Sequence, residues 1–185
     1  MRSKNPSSKA TFESVWATLQ ETAQLMRENK QQWQELRESM KAMQQEVGGI
    51  GQSNGKVAES YFVNSFNKSM EFAGQKYDGI EQSRKKKIKS LNLQGEYDLL
   101  LYNCASVVII EIKYSAEKKH IGWLLKRAAV FKQLFPQYAN FDLYLGLAAF
   151  HFEERTEEEA ISHGIAIIKQ IGENMVIYDE HLKVF

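Results

Sequence analysis

Asp98, Glu111 and Lys113 are the residues of this 185-residue chain whose types and spacing best suit chemistry. They stand in EYDLLLYNCASVVIIEIKYS, residues 96–115, which is otherwise two nearly continuous apolar runs. Strands this apolar are buried, and burying an ionised group without a partner is expensive. The runs read as strands over 96–102 and 107–114, joined by the turn Asn103–Ser106. If Tyr102 pairs with Val107, counting outward places Asp98 opposite Glu111. Like charges facing each other destabilise a sheet, so a cation must lie between them or one carboxyl must hold its proton. Glu111 and Lys113 are two residues apart and share a face. Two carboxylates with a backbone carbonyl, that of Ile112, suit a hard cation such as Mg²⁺, and an adjacent amine can orient a metal-bound water or help deprotonate it. The plainer reading is a structural ion pair of Lys113 with one carboxylate, which leaves the other carboxylate unbalanced.

The elements that must position these groups follow from periodicity. Asn54 suits a helix N-cap, and the following helix, to about Ser69, turns Ala58, Tyr61, Phe62, Ser65 and Phe66 inward with Glu59 at the stripe's edge. A short strand is expected around Tyr77–Glu81, then a loop containing RKKKIK, residues 84–89. Helical spacing returns over 117–135, with Ile121, Leu124, Leu125, Ala128, Phe131 and Phe135 on one face and Pro136 as the stop. Residues 141–150 read as a strand. TEEEAISHG follows as a helix with a capping box from Thr156 to Glu159 and Gly164 at its end. Residues 165–170 and 175–180 form a closing hairpin around Gly172. The order is helix, three strands, helix, strand, helix, two strands, a mixed α/β layout.

A different pattern occupies the N-terminal quarter. Residues 1–9 read as disordered. Over 10–47, Phe12, Leu19, Met26, Trp33, Met40 and Val47 recur every seven positions, with Val15, Thr22, Asn29, Leu36 and Met43 three residues after each. This is the a/d seam of a coiled coil, and it predicts a homo-oligomer, from dimer to tetramer. The alternative is a helix packed on its own domain. The glycines of GGIGQSNG, residues 48–55, predict a hinge that ends this helix before a domain at 56–185.

Composition sets limits. Apolar residues make up 43% of the chain and charged residues 25%, as in an ordinary globular protein with a core. The net charge of +1 gives no bulk attraction to nucleic acid or membrane, so any such surface must come from local clustering. Cys104 is the only cysteine, which excludes an intramolecular disulfide and a cysteine-built zinc cluster. No run approaches the ~18 apolar residues of a membrane span, and the N-terminus lacks the apolar stretch of a secretory signal. The expectation is a soluble cytoplasmic protein. His120, His151, His163 and His181 show no metal-ligand spacing and read as structural.

Asp98, a twelve-residue interval and Glu111-Ile112-Lys113 resemble the signature of the PD-(D/E)xK nuclease superfamily, which includes many restriction endonucleases and Holliday-junction resolvases. The superfamily core of helix, three strands, helix and strand is similar to the order read over 55–150. GQSNGKVAESYF, EIKY and FKQLFPQY are similar to a bacterial group within it that also carries an N-terminal coiled coil. Tyr97 departs from the family's Pro, at a position that varies. The resemblance implies a restriction-endonuclease-like core and a Mg²⁺-dependent endo- or exonuclease, with Mn²⁺ as a substitute ion. Asp98, Glu111 and the Ile112 carbonyl would hold the metal, Lys113 would assist the attacking water, and Glu59 would help place metal or water. Lys126, Lys132 or Gln133 would be the auxiliary residue on the helix over 117–135. DNA is the expected substrate, with RNA as the alternative, and Arg84, Lys85, Lys86, Lys87, Lys89 and Lys126 would contact phosphates, which position a backbone without reading its sequence. The rival readings are a nuclease fold without turnover, serving as a DNA-binding or assembly module, and a coiled-coil adaptor.

Overall fold

A computed structural model describes residues 12–185, and for 41–48 and 50 the backbone alone. The segment 1–9 expected to be disordered, and the side chains of Met43 and Val47 in the expected seam, lie outside the described residues. Helix α1 runs Phe12–Ser69. Residues 48–55 are helical within it, which corrects the expected break and the reading of Asn54 as a new helix start. A glycine costs a helix only about 1 kcal/mol relative to alanine, and neighbouring structure overrides propensities of that size. No proline removes a hydrogen bond here. The chain divides into two compact units between Ile50 and Gly51, inside the segment expected to hinge. In the first unit Phe12, Val15, Leu19, Met26, Trp33, Leu36 and Met40 are all exposed.

The second unit is built on a six-stranded sheet in the order β3-β4-β5-β6-β7-β8. Its strands are β3 (Gly79–Ile88), β4 (Leu93–Tyr102), β5 (Ser106–Ala116), β6 (Asp142–Phe152), β7 (Ala166–Ile171) and β8 (Asn174–Tyr178). Helix α2 (Lys118–Leu134) connects β5 to β6, helix α3 (Thr156–His163) connects β6 to β7, and those two strand pairs are parallel. The other pairs are antiparallel. A small hairpin, β1 (Glu71–Phe72) and β2 (Gln75–Lys76), precedes the sheet and escaped the periodicity reading because two-residue strands have none. The turn residues, Ala73 and Gly74, both have positive φ, as tight hairpins prefer.

Both faces of the sheet are covered. Ile121, Leu124, Phe131 and Leu134 of α2 pack with Ala160 of α3 on one face, against Tyr97, Leu100, Val107 and Ile109. Ala58, Phe62, Val63 and Phe66 of α1 pack on the other, against Leu99, Leu101, Val108, Ile110 and Ile112. The α1 stripe, the α2 face and the closing hairpin agree with the periodicity.

Two local readings are corrected. RKKKIK is not a loop: Arg84–Ile88 form the second half of β3, paired with Leu93–Tyr97 of β4, and only Lys89 falls in the following 3-10 turn, Lys89–Leu91. The expected capping box at Thr156 does not form. Arg155, at φ 60°, takes the N-cap position, and the Thr156 hydroxyl is buried without a hydrogen bond. Gly164 does close this helix, at φ 79°.

Phe62 is fully buried, its ring 5.3 Å from that of Phe150 and edge-on to Tyr61. Phe62→Ala is expected to lower the unfolding free energy by about 3–5 kcal/mol. Val57→Ala, at an exposed position of the same helix, should change it by less than about 0.5 kcal/mol. Urea denaturation of the full chain measures both.

Candidate active site

The hairpin register is the expected one from Tyr102↔Val107 to Leu99↔Ile110. It stops there, so Asp98 and Glu111 do not form the next rung. On its other side β4 pairs with β3 at Leu99↔Gln82 and Tyr97↔Arg84 but not between Asp98 and Ser83, whose φ is 48°. The strands also change phase at this point. Tyr97 packs towards α2 and Leu99 towards α1, although residues two apart on a regular strand share a face. On β3, Ile80 packs towards α1 and Ile88 towards α2. Both strands turn over together at Ser83 and Asp98.

The released Asp98 carboxylate is used at once. Its Oδ2 accepts the Ile112 N–H at 2.9 Å and the Lys113 ammonium at 3.0 Å. Lys113 Nζ also donates to the Ile112 carbonyl at 2.8 Å and lies 2.8 Å from Glu111 Oε1. Asp98, Glu111 and Lys113 are thus brought together as expected, with the ammonium between the two carboxylates. Glu111 and Lys113 point to the α2 side, and the side chain of Glu111 is only 1% exposed.

Arg127, on the inner edge of α2, completes the cluster: its Nη1 donates to Glu111 Oε2. Arg127 is not among the expected site residues. The available signal was its place three residues after buried Leu124 and one before buried Ala128, which brings it to the edge of the inward stripe. Its carbonyl accepts the Tyr97 hydroxyl at 3.2 Å, and burial pushes the Tyr97 phenol up to about 12.

The other expected residues stand further out. Glu59 is exposed and shares with Asp98 a polar cleft of about 320 Å³, between α1 and the β3–β4 turnover, that Asn64, Gln82 and Ser83 also line. It makes no ion pair with the Lys113 cluster. Lys126 and Gln133 are exposed, and Lys132 donates to the Phe185 carbonyl at 3.2 Å. Arg127, rather than any of these three, is the α2 side chain at the carboxylates. Lys85 pairs with Glu96 at 2.6 Å, Arg84 pairs with Glu81 at 3.3 Å, and Lys86 lies 4.8 Å from the centre of the Phe135 ring. His120 is buried, with its Nδ1 accepting the Glu117 N–H, and burial pulls its pKa down. His181 bonds the Ile165 carbonyl.

Burial raises the Glu111 pKa first, the neighbouring Asp98 charge raises it further, and Lys113 and Arg127 oppose both. For Lys113, burial pulls the pKa down, but the two carboxylates outweigh it and the net shift is upward. At neutral pH Lys113 is therefore an ammonium. Glu111 Oε1 is buried and, although close to Nζ, receives no directed hydrogen bond. Among the described residues no three His, Cys, Asp or Glu side chains gather as a metal cluster. The oxygen donors at hand are the Asp98 carboxylate, Glu111 Oε1 and the Ile112 carbonyl. The donor set is all oxygen, as a hard divalent cation prefers, and Lys113 Nζ lies within 3.0 Å of each donor, in the place such an ion would share. No family model matches the chain, and no curated protein matches it.

The pH response follows from these shifts. A carboxyl with a raised folded pKa contributes stability below the ordinary carboxylate range and loses it as pH rises through the folded value. Lys113 contributes at every pH below the ordinary lysine value and loses that contribution only above it. Lys113→Met leaves Arg127 as the sole cation at the two carboxylates. It should destabilise the chain by about 3 kcal/mol at neutral pH, and by less near about pH 4, where carboxyls take up protons. Urea denaturation at the two pH values reads the difference.

Proposed function

We propose that this chain is a metal-dependent nuclease that hydrolyses phosphodiester bonds in DNA. The observation that carries the proposal is the meeting of Asp98 and Glu111 on the Lys113 ammonium, at 3.0 and 2.8 Å, where β4 loses its ladder on both sides. The element order supports a restriction-endonuclease-like core, with the C-terminal part of α1 as the first helix, β3–β5 as the three strands, then α2 and β6. Asp98, Glu111 and the Ile112 carbonyl would hold Mg²⁺, or Mn²⁺ in its place. Such an ion, when bound, polarises the phosphate and acidifies a coordinated water.

The protein's own part is electrostatic. Lys113 begins as an ammonium, so it orients the attacking water and offsets negative charge on the phosphate as the water oxygen bonds to phosphorus and the ester oxygen leaves. Glu59 shares with Asp98 a cleft wide enough for solvent, which supports a role for it in placing metal or water. The basic half of β3 supplies cations for neighbouring phosphates, which fix the backbone independently of sequence.

The exposed heptad positions of α1 support self-association through a second copy of the same helix. Phe12, Leu19, Met26, Trp33 and Met40 recur at one position of the repeat, and each is at least half exposed in the single chain. One active site cuts one strand, so paired sites suit a duplex.

A reading without turnover is favoured by one feature: Lys113 and Arg127 already balance the charges of Asp98 and Glu111, as a structural ion cluster would. Cleavage assays decide between the two. Full-length protein with Mg²⁺ or Mn²⁺ should cut linear, single-stranded, flapped or four-way DNA, and chelator should stop it. Asp98→Asn keeps an oxygen for the Ile112 N–H and should lower the rate by at least about a hundredfold, and Lys113→Ala by a similar factor. Binding without cleavage on every substrate would support the module instead. Separately, Met26→Glu combined with Trp33→Glu should reduce the oligomeric state of the full chain, measured by light scattering.

A further inference from the structure

A concavity of about 510 Å³ lies where the second half of β3 meets β4 and α2. Lys85, Lys86, Lys87, Gly95, Glu96 and Arg127 line it. Glu96 is its one carboxylate and is paired with Lys85. Lys86 and Arg127 therefore set its charge, together with Lys87, for which the structure shows no ion pair. Arg127 is the residue this concavity shares with the candidate active site, because its guanidinium also holds Glu111 Oε2.

This double membership has a consequence. Glu111 Oε2 is occupied by a cation that a metal ion at the same carboxylate would have to lie beside, and two like charges at one buried group oppose each other. A guanidinium prefers a phosphate as readily as a carboxylate, since both present the paired oxygens that match its fork. Of the two cations at the carboxylates, only Arg127 also lines the concavity, so a phosphate bound there acts on Arg127. Lys113 is tied to Asp98 and the Ile112 carbonyl, and β5 is held by the parallel ladder to β6 at Glu111↔Leu147 and Lys113↔Ala149. Gly95 leaves room for the Tyr97 side chain at the concavity: a Cβ there would come within 2.5 Å of the Tyr97 hydroxyl.

We propose that Arg127 is a positioning residue that couples the two sites. A backbone phosphate of DNA bound in the concavity beside Lys86 draws the guanidinium from Glu111 and frees that carboxylate for the divalent cation. The inference rests on the nuclease reading above and adds to it that nucleic acid and metal bind with positive cooperativity through one side chain.

The test measures binding rather than turnover. Mn²⁺ is titrated calorimetrically into full-length protein, with and without a saturating phosphorothioate-linked DNA duplex. Mn²⁺ should bind at least about fivefold more tightly with the duplex, and the duplex should gain by the same factor from Mn²⁺, because coupling between binding sites is reciprocal. Arg127→Gln should bind Mn²⁺ alone more tightly than the parent chain does and show no effect of the duplex. If that variant does not fold, Arg127→Lys carries the test, since it keeps the charge without the fork: weakened coupling supports the proposal and undiminished coupling overturns it. Lys86→Gln should weaken duplex binding, lower the salt slope by about one, and leave the affinity for Mn²⁺ alone unchanged. Full coupling in Arg127→Gln, or none in the parent chain, overturns the role of Arg127 while Asp98-dependent cleavage leaves the nuclease reading standing. A parent chain that binds no Mn²⁺ in either condition overturns both.

Discussion

Two carboxylates and one ammonium meet where the sheet and α2 bury Glu111 and leave Asp98 and Lys113 partly exposed, and the architecture around them is organised by the need to balance their charges. Burial alone drives the Glu111 carboxyl towards its protonated form, but the two carboxylates do not act alone. Together they hold Lys113 protonated, and Lys113 with Arg127 opposes the protonation of Glu111. The Ile112 N–H adds a neutral donor to Asp98. That amide faces Asp98 because the ladder between β4 and β5 ended two residues earlier. A regular rung at Asp98 and Glu111 would have set the two carboxylates side by side on the sheet, with Lys113 a full repeat away. Breaking the rung lets the aspartate come to the lysine.

The break is confined to one side of β5. Towards β6 the ladder continues through Glu111, Ile112 and Lys113 without interruption. Those residues therefore sit on a backbone fixed by parallel hydrogen bonds, with fully buried Ile109 and Ile110 immediately before them. Functional groups held on such an element keep their positions better than groups on loops. The irregular partner is β4 with the adjacent part of β3, where Ser83 takes a positive φ that non-glycine residues seldom adopt. Irregularity and order are thus divided between neighbours, with Glu111 and Lys113 on the ordered strand and Asp98 on the interrupted one, across from Ser83.

How far the sequence exposes this arrangement depends on which signals are local. The hairpin register could be read because a four-residue turn and two apolar runs leave little choice, and the two-residue period then joins Glu111 to Lys113. The inner stripe of α1 and the face of α2 were legible for the same reason, with spacing of three and four residues repeated over several turns. The phase change at Ser83 and Asp98 was not legible, because it breaks the two-residue period from which strand faces are read. RKKKIK reads as a loop when charge alone is considered. It is a strand because Leu93–Tyr97 offers it a partner and Ile88 anchors its end. The glycines of 48–55 predict a break by their freedom, yet freedom does not oblige a chain to leave the helix. Arg127 differs from Lys126 only by a rotation of one residue about α2, and only the placement of α2 on the sheet separates them.

The turnover of β3 and β4 also decides where the positive charge goes. Had β3 kept strict alternation beyond Ile80, Arg84, Lys86 and Ile88 would have faced α1 with it. Ile88 packs instead on the α2 side, and Arg84 and Lys86 lie over the ring of Phe135, at the end of α2. This is the side to which Glu111 and Lys113 point and from which Arg127 reaches them. The backbone irregularity that carries Asp98 to Lys113 therefore carries the cations of β3 to the neighbourhood of Arg127. Restoring a regular ladder at Ser83 and Asp98 would separate Asp98 from the Lys113 ammonium and the basic strand from α2 in the same step. The charged cluster and the basic concavity are two results of one break in the sheet.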